Sequence, residues 1–203
     1  MSLKKYKIAL ATQNKDKIRE IKKILGKRFE IIKLKKFPKI IENGKTLKEN
    51  AVKKCKQINE LINKLTLADD TGLEIEALDG KPGVYSARFA GKNCSYADNY
   101  NKLLKLLANV PYKKRKAQFR TVVAMIFPDG KLKTVEGTVS GYITKEPKGS
   151  NGFGYDPVFY YPKLKKTFAQ LTTEQKNKVS HRAIAFRNAK ELIQKCFKEN
   201  IYG

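Results

Sequence analysis

Two adjacent carboxylates, Asp69 and Asp70, follow the apolar run Leu65-Thr-Leu-Ala68 and lead into Thr71-Gly72. Hard oxygen ligands of this kind suit Mg²⁺, and a carboxylate beside a bound metal can also take a proton from water. Neighbouring strand residues point to opposite sides, so only one of the pair can face a given ligand. Read in isolation, Asp-Asp-x-Gly is a polar β-turn. Glu42, in a loop before a capped helix, is a second candidate metal ligand. Glu49 is a third, already employed by the helix cap. A second chemical stretch is Gly149-Ser-Asn-Gly-Phe-Gly-Tyr-Asp-Pro157. Its glycines permit φ > 0 and close backbone approach to a ligand, while Phe153 and Tyr155 offer flat faces. It ends without Gly-Lys-Ser/Thr and lacks G-x-G-x-x-G spacing, so it is neither familiar phosphate loop. The plain alternative is a turn between strands. Lys176-Asn-Lys-Val-Ser-His-Arg182 crowds donors as a phosphate or carbonyl site would need, or as a charged helix terminus would show. His181 is the only histidine, which excludes His-based metal clusters.

The elements that must position these residues follow an α/β order. Tyr6 to Ala11 reads as a buried strand running into the polar turn Thr12-Gln-Asn-Lys. Ile18, Ile21, Ile24 and Leu25 then recur at helical spacing, with Gly26 as a stop. The N-terminus of that helix is a ready anion site beside the strand's carboxyl end. Phe29 to Leu34 reads as a second strand. Thr46-Leu-Lys-Glu49 is a capping box for a helix with Leu47, Ala51, Cys55, Ile58 and Ile62 on one face. Leu65 to Ala68 is expected to be a short strand that delivers the two aspartates at its end. Ser95 to about Ala108 is helical. Phe119–Phe127 and Lys131–Ile143 read as long antiparallel strands around Pro128-Asp129-Gly130. Phe159–Tyr161 is a further strand, and Ser180 caps a closing helix. The order predicts a mixed sheet with helices on both sides.

Composition narrows the function classes. At 203 residues, 41% hydrophobic and 31% charged, the chain has the composition of a globular protein. No apolar run approaches the ~20 residues of a membrane span, and Ile8-Ala-Leu-Ala11 is too short for a signal core. A cytoplasmic protein without membrane partners is expected. Three widely spaced cysteines suggest neither a disulfide framework nor a zinc site. The net charge of +25 could mean nucleic-acid binding. Only seven of the 44 basic residues are arginines, however, and the lysines are spread along the whole chain. Specific readers of nucleic acid lean on arginine, so no specific nucleic-acid partner is expected, although the charge draws nucleotides.

Five blocks in order carry a resemblance: Ala11-Thr-Gln-Asn-Lys-Asp-Lys17, Ala68-Asp-Asp-Thr-Gly-Leu73, Pro82-Gly-Val-Tyr-Ser-Ala-Arg88, Gly149 to Pro157, and Glu174 to Ala183. Together they closely resemble the inosine/xanthosine triphosphate pyrophosphatases of the Ham1 family, from about Lys7 to Gln194. The resemblance implies Mg²⁺-dependent hydrolysis of deaminated purine nucleoside triphosphates (ITP, dITP, XTP) to monophosphate and pyrophosphate. It also implies one domain over residues 1–203, a long mixed twisted sheet flanked by helices, two lobes with a central cleft, and a homodimer. By position, Thr12, Gln13, Asn14, Lys15 and Lys17 match the triphosphate-binding turn, and Lys54 matches a lysine reaching the phosphates. Asp70 matches the general base and metal ligand, with Asp69 beside it, and Thr71 matches a substrate contact. Phe153, Gly154, Tyr155 and Asp156 match the nucleoside-holding block, with Phe153 stacking on the base. Lys176, His181 and Arg182 match the residues that read the purine edge. Two positions depart from the pattern. Gln13 stands where the family has glycine, so its side chain either intrudes on phosphate or points away. Ile41 stands where an acidic residue is usual, leaving Glu42 to ligate the metal from a shifted loop or the ligand absent. The competing readings are a nucleic-acid-binding module, motivated by charge, and a phosphatase or nucleotidase acting on other modified nucleotides.

Overall fold

The computed structural model describes residues 5–32, 34 and 37–199. Strand β1 (Tyr6–Leu10) buries four of its five residues, the pattern of a strand covered on both faces. It pairs in parallel with β2 (Phe29–Ile31). β2 is shorter than the sequence suggests, and Lys33, within the expected Phe29–Leu34 strand, lies outside the described residues. Between them, α1 (Lys15–Leu25) begins where Asn14 Oδ1 accepts from the backbone N–H groups of Asp16 (2.9 Å) and Lys17 (3.2 Å). That satisfies two of the helix's orphan donors. Helix α2 (Leu47–Ile62) starts at Thr46, whose Oγ1 accepts from Glu49 N. The expected capping box is altered: Glu49 Oε2 accepts from Lys45 N at 2.8 Å, one residue outside the cap.

The main correction concerns β3 (Thr66–Ile75). The sequence suggests a short strand ending in an Asp69–Gly72 turn, yet the strand runs unbroken through all four residues. Eight of its ten residues are buried. A turn there would leave amides in the interior without ladder partners, a cost the continuous strand avoids. Leu67 pairs in parallel with Leu10 of β1. Farther on, Leu73 lies opposite Gly83 of β4 (Pro82–Gly83). Helix α3 (Tyr96–Leu106) opens with a capping box between Ser95 and Asp98. Strands β5 (Lys116–Ile126) and β6 (Leu132–Ile143) are sheet neighbours, joined by a turn in which Phe127 N donates to Lys131 O. Then come β7 (Phe159–Tyr161), β8 (Lys166–Thr167), α4 (Thr173–Val179) and α5 (His181–Lys198). Ser180, expected to open the last helix, closes α4 and immediately precedes α5. β4, β8 and α4 are too short to leave a periodic signal.

Among the described residues the strand order is β2-β1-β3-β5-β6-β7-β8, with β4 on β3, and five α-helices flank the sheet. The expected mixed α/β class is what the chain adopts. The chain divides into two compact units. The first comprises residues up to Asp70, Thr121–Gly137 and the chain from Arg182; the second comprises Thr71–Arg120 and Thr138–His181. The first unit's core gathers Ile8, Leu10, Ile21, Leu25, Leu67, Met125, Phe186 and Ile193. The second is built on rings, with Phe119, Phe159 and Phe168 within 4.6–6.0 Å of one another.

Arg115 anchors the second unit. Its buried guanidinium donates to the carbonyls of Val110 (2.9 Å), Leu107 (2.6 Å) and Thr144 (3.0 Å). Arg115→Met keeps the stem but strands those acceptors. It is expected to cost about 3 kcal/mol, read as a lower urea midpoint; an unchanged midpoint contradicts the assignment.

Candidate active site

Alternation along β3 sends its two aspartates to different partners within the first unit. Asp70 Oδ1 accepts from Lys54 Nζ at 2.9 Å, and Asp70 Oδ2 accepts from Asn50 Nδ2 at 3.1 Å. Lys54 Nζ also reaches Glu42 Oε1 at 2.9 Å, so one ammonium bridges two carboxylates. Lys54 and Asn50 lie one helical turn apart on α2, which fixes both over the strand. Asn50 Oδ1 accepts from Gly44 N at 2.7 Å and thereby ties down the loop that carries Glu42. Only glycine permits this approach, because a Cβ on residue 44 would lie 2.6 Å from Asn50 Oδ1. Burial pushes the Asp70 carboxyl above its ordinary range, against the pull of Lys54. Burial alone would lower Lys54, but Asp70, Asp69 and Glu42 together hold it above the usual lysine value.

Asp69 faces a different group. Its Oδ2 meets Lys17 Nζ at 2.9 Å and Arg182 Nε at 3.6 Å, and Arg182 Nη1 donates to Glu20 Oε2 at 2.7 Å. Burial would raise the Asp69 carboxyl, yet Lys17, Arg182 and Lys54 overcome that and hold it well below the carboxylate range. Burial keeps Lys17 below its usual value despite Asp69. At the start of α1, Thr12 Oγ1 accepts from Asn14 N at 3.2 Å. Gln13 and Lys15 are exposed, so the side chain of Gln13 stands in solvent instead of filling the turn.

In the second unit the glycine loop closes on its own carboxylate. Asp156 Oδ2 accepts from Phe153 N at 2.9 Å and from Lys176 Nζ, the carboxylate and the ammonium both being buried. Gly152 is required there, since a Cβ would lie 2.1 Å from Asp156 Oδ2. Gly154 has φ +66° with open space around its Cβ position, so it is needed for conformation alone. The Lys176 ammonium sits 4.8 Å from the centre of the Phe153 ring, and Tyr96 lies 5.8 Å from that ring. Tyr155 turns inward and its hydroxyl donates to Ser86 O at 2.9 Å; burial raises it far above the ordinary tyrosine range. His181 is buried and stacks on Phe119 at 4.3 Å. Thr71, the first residue of this unit, is half-buried.

The structure therefore joins Glu42, Lys54 and Asp70 in one group, and Lys17, Asp69 and Arg182 in another. Phe153, Asp156 and Lys176 form a third. Arg182, expected beside Lys176 and His181, belongs to the Asp69 group because its guanidinium is neutralised by Glu20 and Asp69. Asp69, grouped from sequence with the metal ligands, is drawn away from Glu42 by strand alternation. Glu20 and Asn50 escaped notice. Glu20 lies three residues after Lys17 and four before Ile24, and Asn50 lies four before Lys54; helical spacing was the available signal for both.

Whether these residues suit Mg²⁺ can be tested on the ammonium itself. Glu42 and Asp70 already hold one cation at 2.9 Å from each, so they form a cation seat of the right charge. Among the described residues no group of three or more His, Cys, Asp or Glu side chains could hold a metal. Mg²⁺ commonly takes one or two carboxylates and completes its shell with water and substrate phosphates, so two carboxylates fit it.

Comparison with known proteins gives a consistent result. The sequence profile described as the Ham1 family matches residues 8–192. A dITP/XTP pyrophosphatase of Thermoanaerobacter pseudethanolicus is 49% identical over 197 residues, which cover 95% of this chain and 99% of that protein. The solved Ham1 protein of Staphylococcus aureus is 43% identical with a TM-score of 0.84, over 93% of this chain and 98% of that one. A HAM1 protein from Coxiella burnetii is 36% identical with a TM-score of 0.85, over 94% and 99% respectively.

The opposite pKa directions of the two aspartates give them opposite pH signatures. Asp69, depressed on folding, contributes stability above the unfolded value of ~3.9 that is lost as pH falls below it. Asp70, raised, contributes with the opposite sign as pH rises through its folded value. Asp69→Asn leaves Lys17 and Arg182 short of a counter-charge and is expected to cost about 3–5 kcal/mol at pH 7. Its melting temperature should then fall less steeply than wild type below pH ~4; parallel curves contradict the pairing.

Proposed function

The chain belongs to the Ham1 family, and from that premise we propose that it hydrolyses deaminated purine nucleoside triphosphates (dITP, ITP and XTP) to the monophosphate and pyrophosphate, using Mg²⁺. The observation that carries this reading is the cation seat of Glu42 and Asp70 occupied by Lys54, with Lys17 on the neighbouring Asp69. Asp70, its carboxylate held by Asn50, orients a water in line with the α-phosphorus and takes its proton. The new P–O bond forms at that phosphorus as the bridging bond to the β-phosphate breaks, and its electron pair leaves with pyrophosphate. Lys15, Lys17 and Lys54 offset the charge on the phosphates. Thr12, Gln13 and Asn14 form the turn that sets the phosphates at the positive end of α1, whose Asp16 and Lys17 amides Asn14 itself caps. Glu42 and Asp70 would hold Mg²⁺, which when bound would supply further charge neutralisation and acidify water. Asp69 holds Lys17 and Arg182 in place.

Phe153 stacks on the purine, with Gly154 and Thr71 lining the nucleoside. Asp156 and Tyr155 hold the loop's shape, the first through Phe153 N and Lys176, the second through Ser86. Lys176 and His181 supply donors to the purine 6-oxo group, and Arg182 stands behind the phosphate end through Asp69. An adenine amino group at that point faces donors with donors, at about 1–3 kcal/mol per unsatisfied group. We further propose that the enzyme acts in the cytoplasm as a homodimer. Among the described residues no helix is long and apolar enough to cross a membrane.

The charge of +25 favours a second reading, nucleic-acid binding. One assay separates the alternatives: incubation of dITP, XTP, GTP, ATP and dUTP with Mg²⁺, with identification of the released phosphate species. Pyrophosphate from dITP and XTP is expected; orthophosphate, or tight sequence-dependent gel shifts without hydrolysis, overturns the reading.

Asp70→Asn should lower kcat by at least about a thousandfold with the fold retained; near-wild-type turnover removes Asp70 from its role. Because burial raises the carboxyl, the acid limb of kcat/KM should have its midpoint above ~3.9. Activity rises with pH through that limb. Phe153→Ala should chiefly raise KM, and an unchanged KM takes the ring out of the site.

A further inference from the structure

Lys54 occupies an unusual position for a residue whose task is to meet phosphate. Its ammonium sits at 2.9 Å from both Glu42 and Asp70, with only 5% of the side chain exposed. The two carboxylates that form the cation seat are thus already served by a cation from the chain. With Asn50 holding the other oxygen of Asp70 and the Glu42 loop, the geometry of the seat is set by residues other than Lys54. We propose that Lys54 is the resident, exchangeable cation of this seat: it neutralises Glu42 and Asp70 in the free enzyme and leaves them for the phosphates when the metal-bound nucleotide arrives. This rests on the pyrophosphatase reading above and deepens it.

The charge balance requires the exchange. Asp70 is buried and Glu42 is 35% exposed; without a cation the two carboxylates repel each other, and the buried one is left unsatisfied. A divalent ion added while the ammonium stays puts three positive charges on two negative ones in a region of low dielectric. One cation must go, and only Lys54 has a flexible four-carbon stem on which to swing its head away. A triphosphate offers that head a new counter-charge; a bare metal ion does not. The consequence is that the free enzyme holds divalent ions weakly and takes them up together with nucleotide. Lys17 provides the contrast. It is a half-buried lysine in the same unit, but its ammonium is on Asp69, outside the seat.

The test is Mn²⁺ binding to nucleotide-free protein, counted from the paramagnetic resonance signal of the free ion. Lys54→Met should bind one Mn²⁺ at least about tenfold more tightly than wild type, the effect of roughly 1.4 kcal/mol of relieved competition. Lys54→Arg, which keeps a cation, should stay near wild type, and Lys17→Met should gain less than about threefold. Lys54→Met should also melt lower than wild type in EDTA and recover more on addition of Mg²⁺. Should Lys54→Met fold only when Mg²⁺ is present, that too is the expected behaviour; should it fold in neither condition, Lys54→Gln is judged by the same tenfold criterion. Affinity within about twofold of wild type, or an equal gain in Lys17→Met, overturns the exchange. Wild-type release of pyrophosphate from dITP alongside unchanged Mn²⁺ affinity sinks the exchange alone. Absence of that release sinks the pyrophosphatase reading, whatever the Mn²⁺ result.

Discussion

Two adjacent carboxylates in the middle of a buried strand impose the constraint on which the first unit depends. Neither Asp69 nor Asp70 can remain ionised in the interior without positive charge beside it. Because β3 does not turn, its pleat sends the two side chains in opposite directions, and each takes a different cation as its direct partner. Helix α2 provides Lys54 for Asp70, while α1 and α5 provide Lys17 and Arg182 for Asp69. The surplus positive charge of the second group is offset by Glu20. Three helices are thereby held against one strand by ion pairs as well as by the apolar core.

The same economy of charge shapes the second unit. Asp156 looks from sequence like a ligand-facing carboxylate, yet it accepts from the backbone of its own loop and neutralises Lys176. That places the ammonium over the Phe153 ring, where the negative face of the aromatic system also favours it. The glycines of the loop serve this internal closure. Gly152 makes room for Asp156, and Gly154 supplies a left-handed turn beside open space. A loop whose composition suggests a phosphate cradle is thus a rigid support for one aromatic face and one cation.

Much of the fold could be read from local pattern. Helical periodicity, helped by the cap at Thr46, located three helices, and the two long strands around Pro128–Gly130 were visible from their apolar residues. Asp70, Lys54 and Lys17 stood out by chemistry and by resemblance. Contacts made across the chain did not. Glu20 and Arg182 are 162 positions apart, and nothing local to either one signals the other. The Asp69–Gly72 stretch was misleading for a related reason: its residue types favour a turn, and only the ladder on either side of it makes a strand. Glu42 shows the same limit. Next to Ile41 it read either as a ligand from a shifted loop or as none, and the bond from Gly44 to Asn50, which nothing local signals, ties its loop to the helix over Asp70.

The central claim is that strand alternation divides the work of the two aspartates, with Asp70 and Glu42 binding the divalent ion and Asp69 binding only side-chain cations. The most direct measurement is an anomalous-difference map from crystals grown with Mn²⁺ and a non-hydrolysable dITP analogue. The account predicts a peak coordinated by Asp70 and Glu42, with Lys17 and Arg182 still on Asp69. A peak on Asp69, or bound nucleotide with no metal at Asp70, contradicts it.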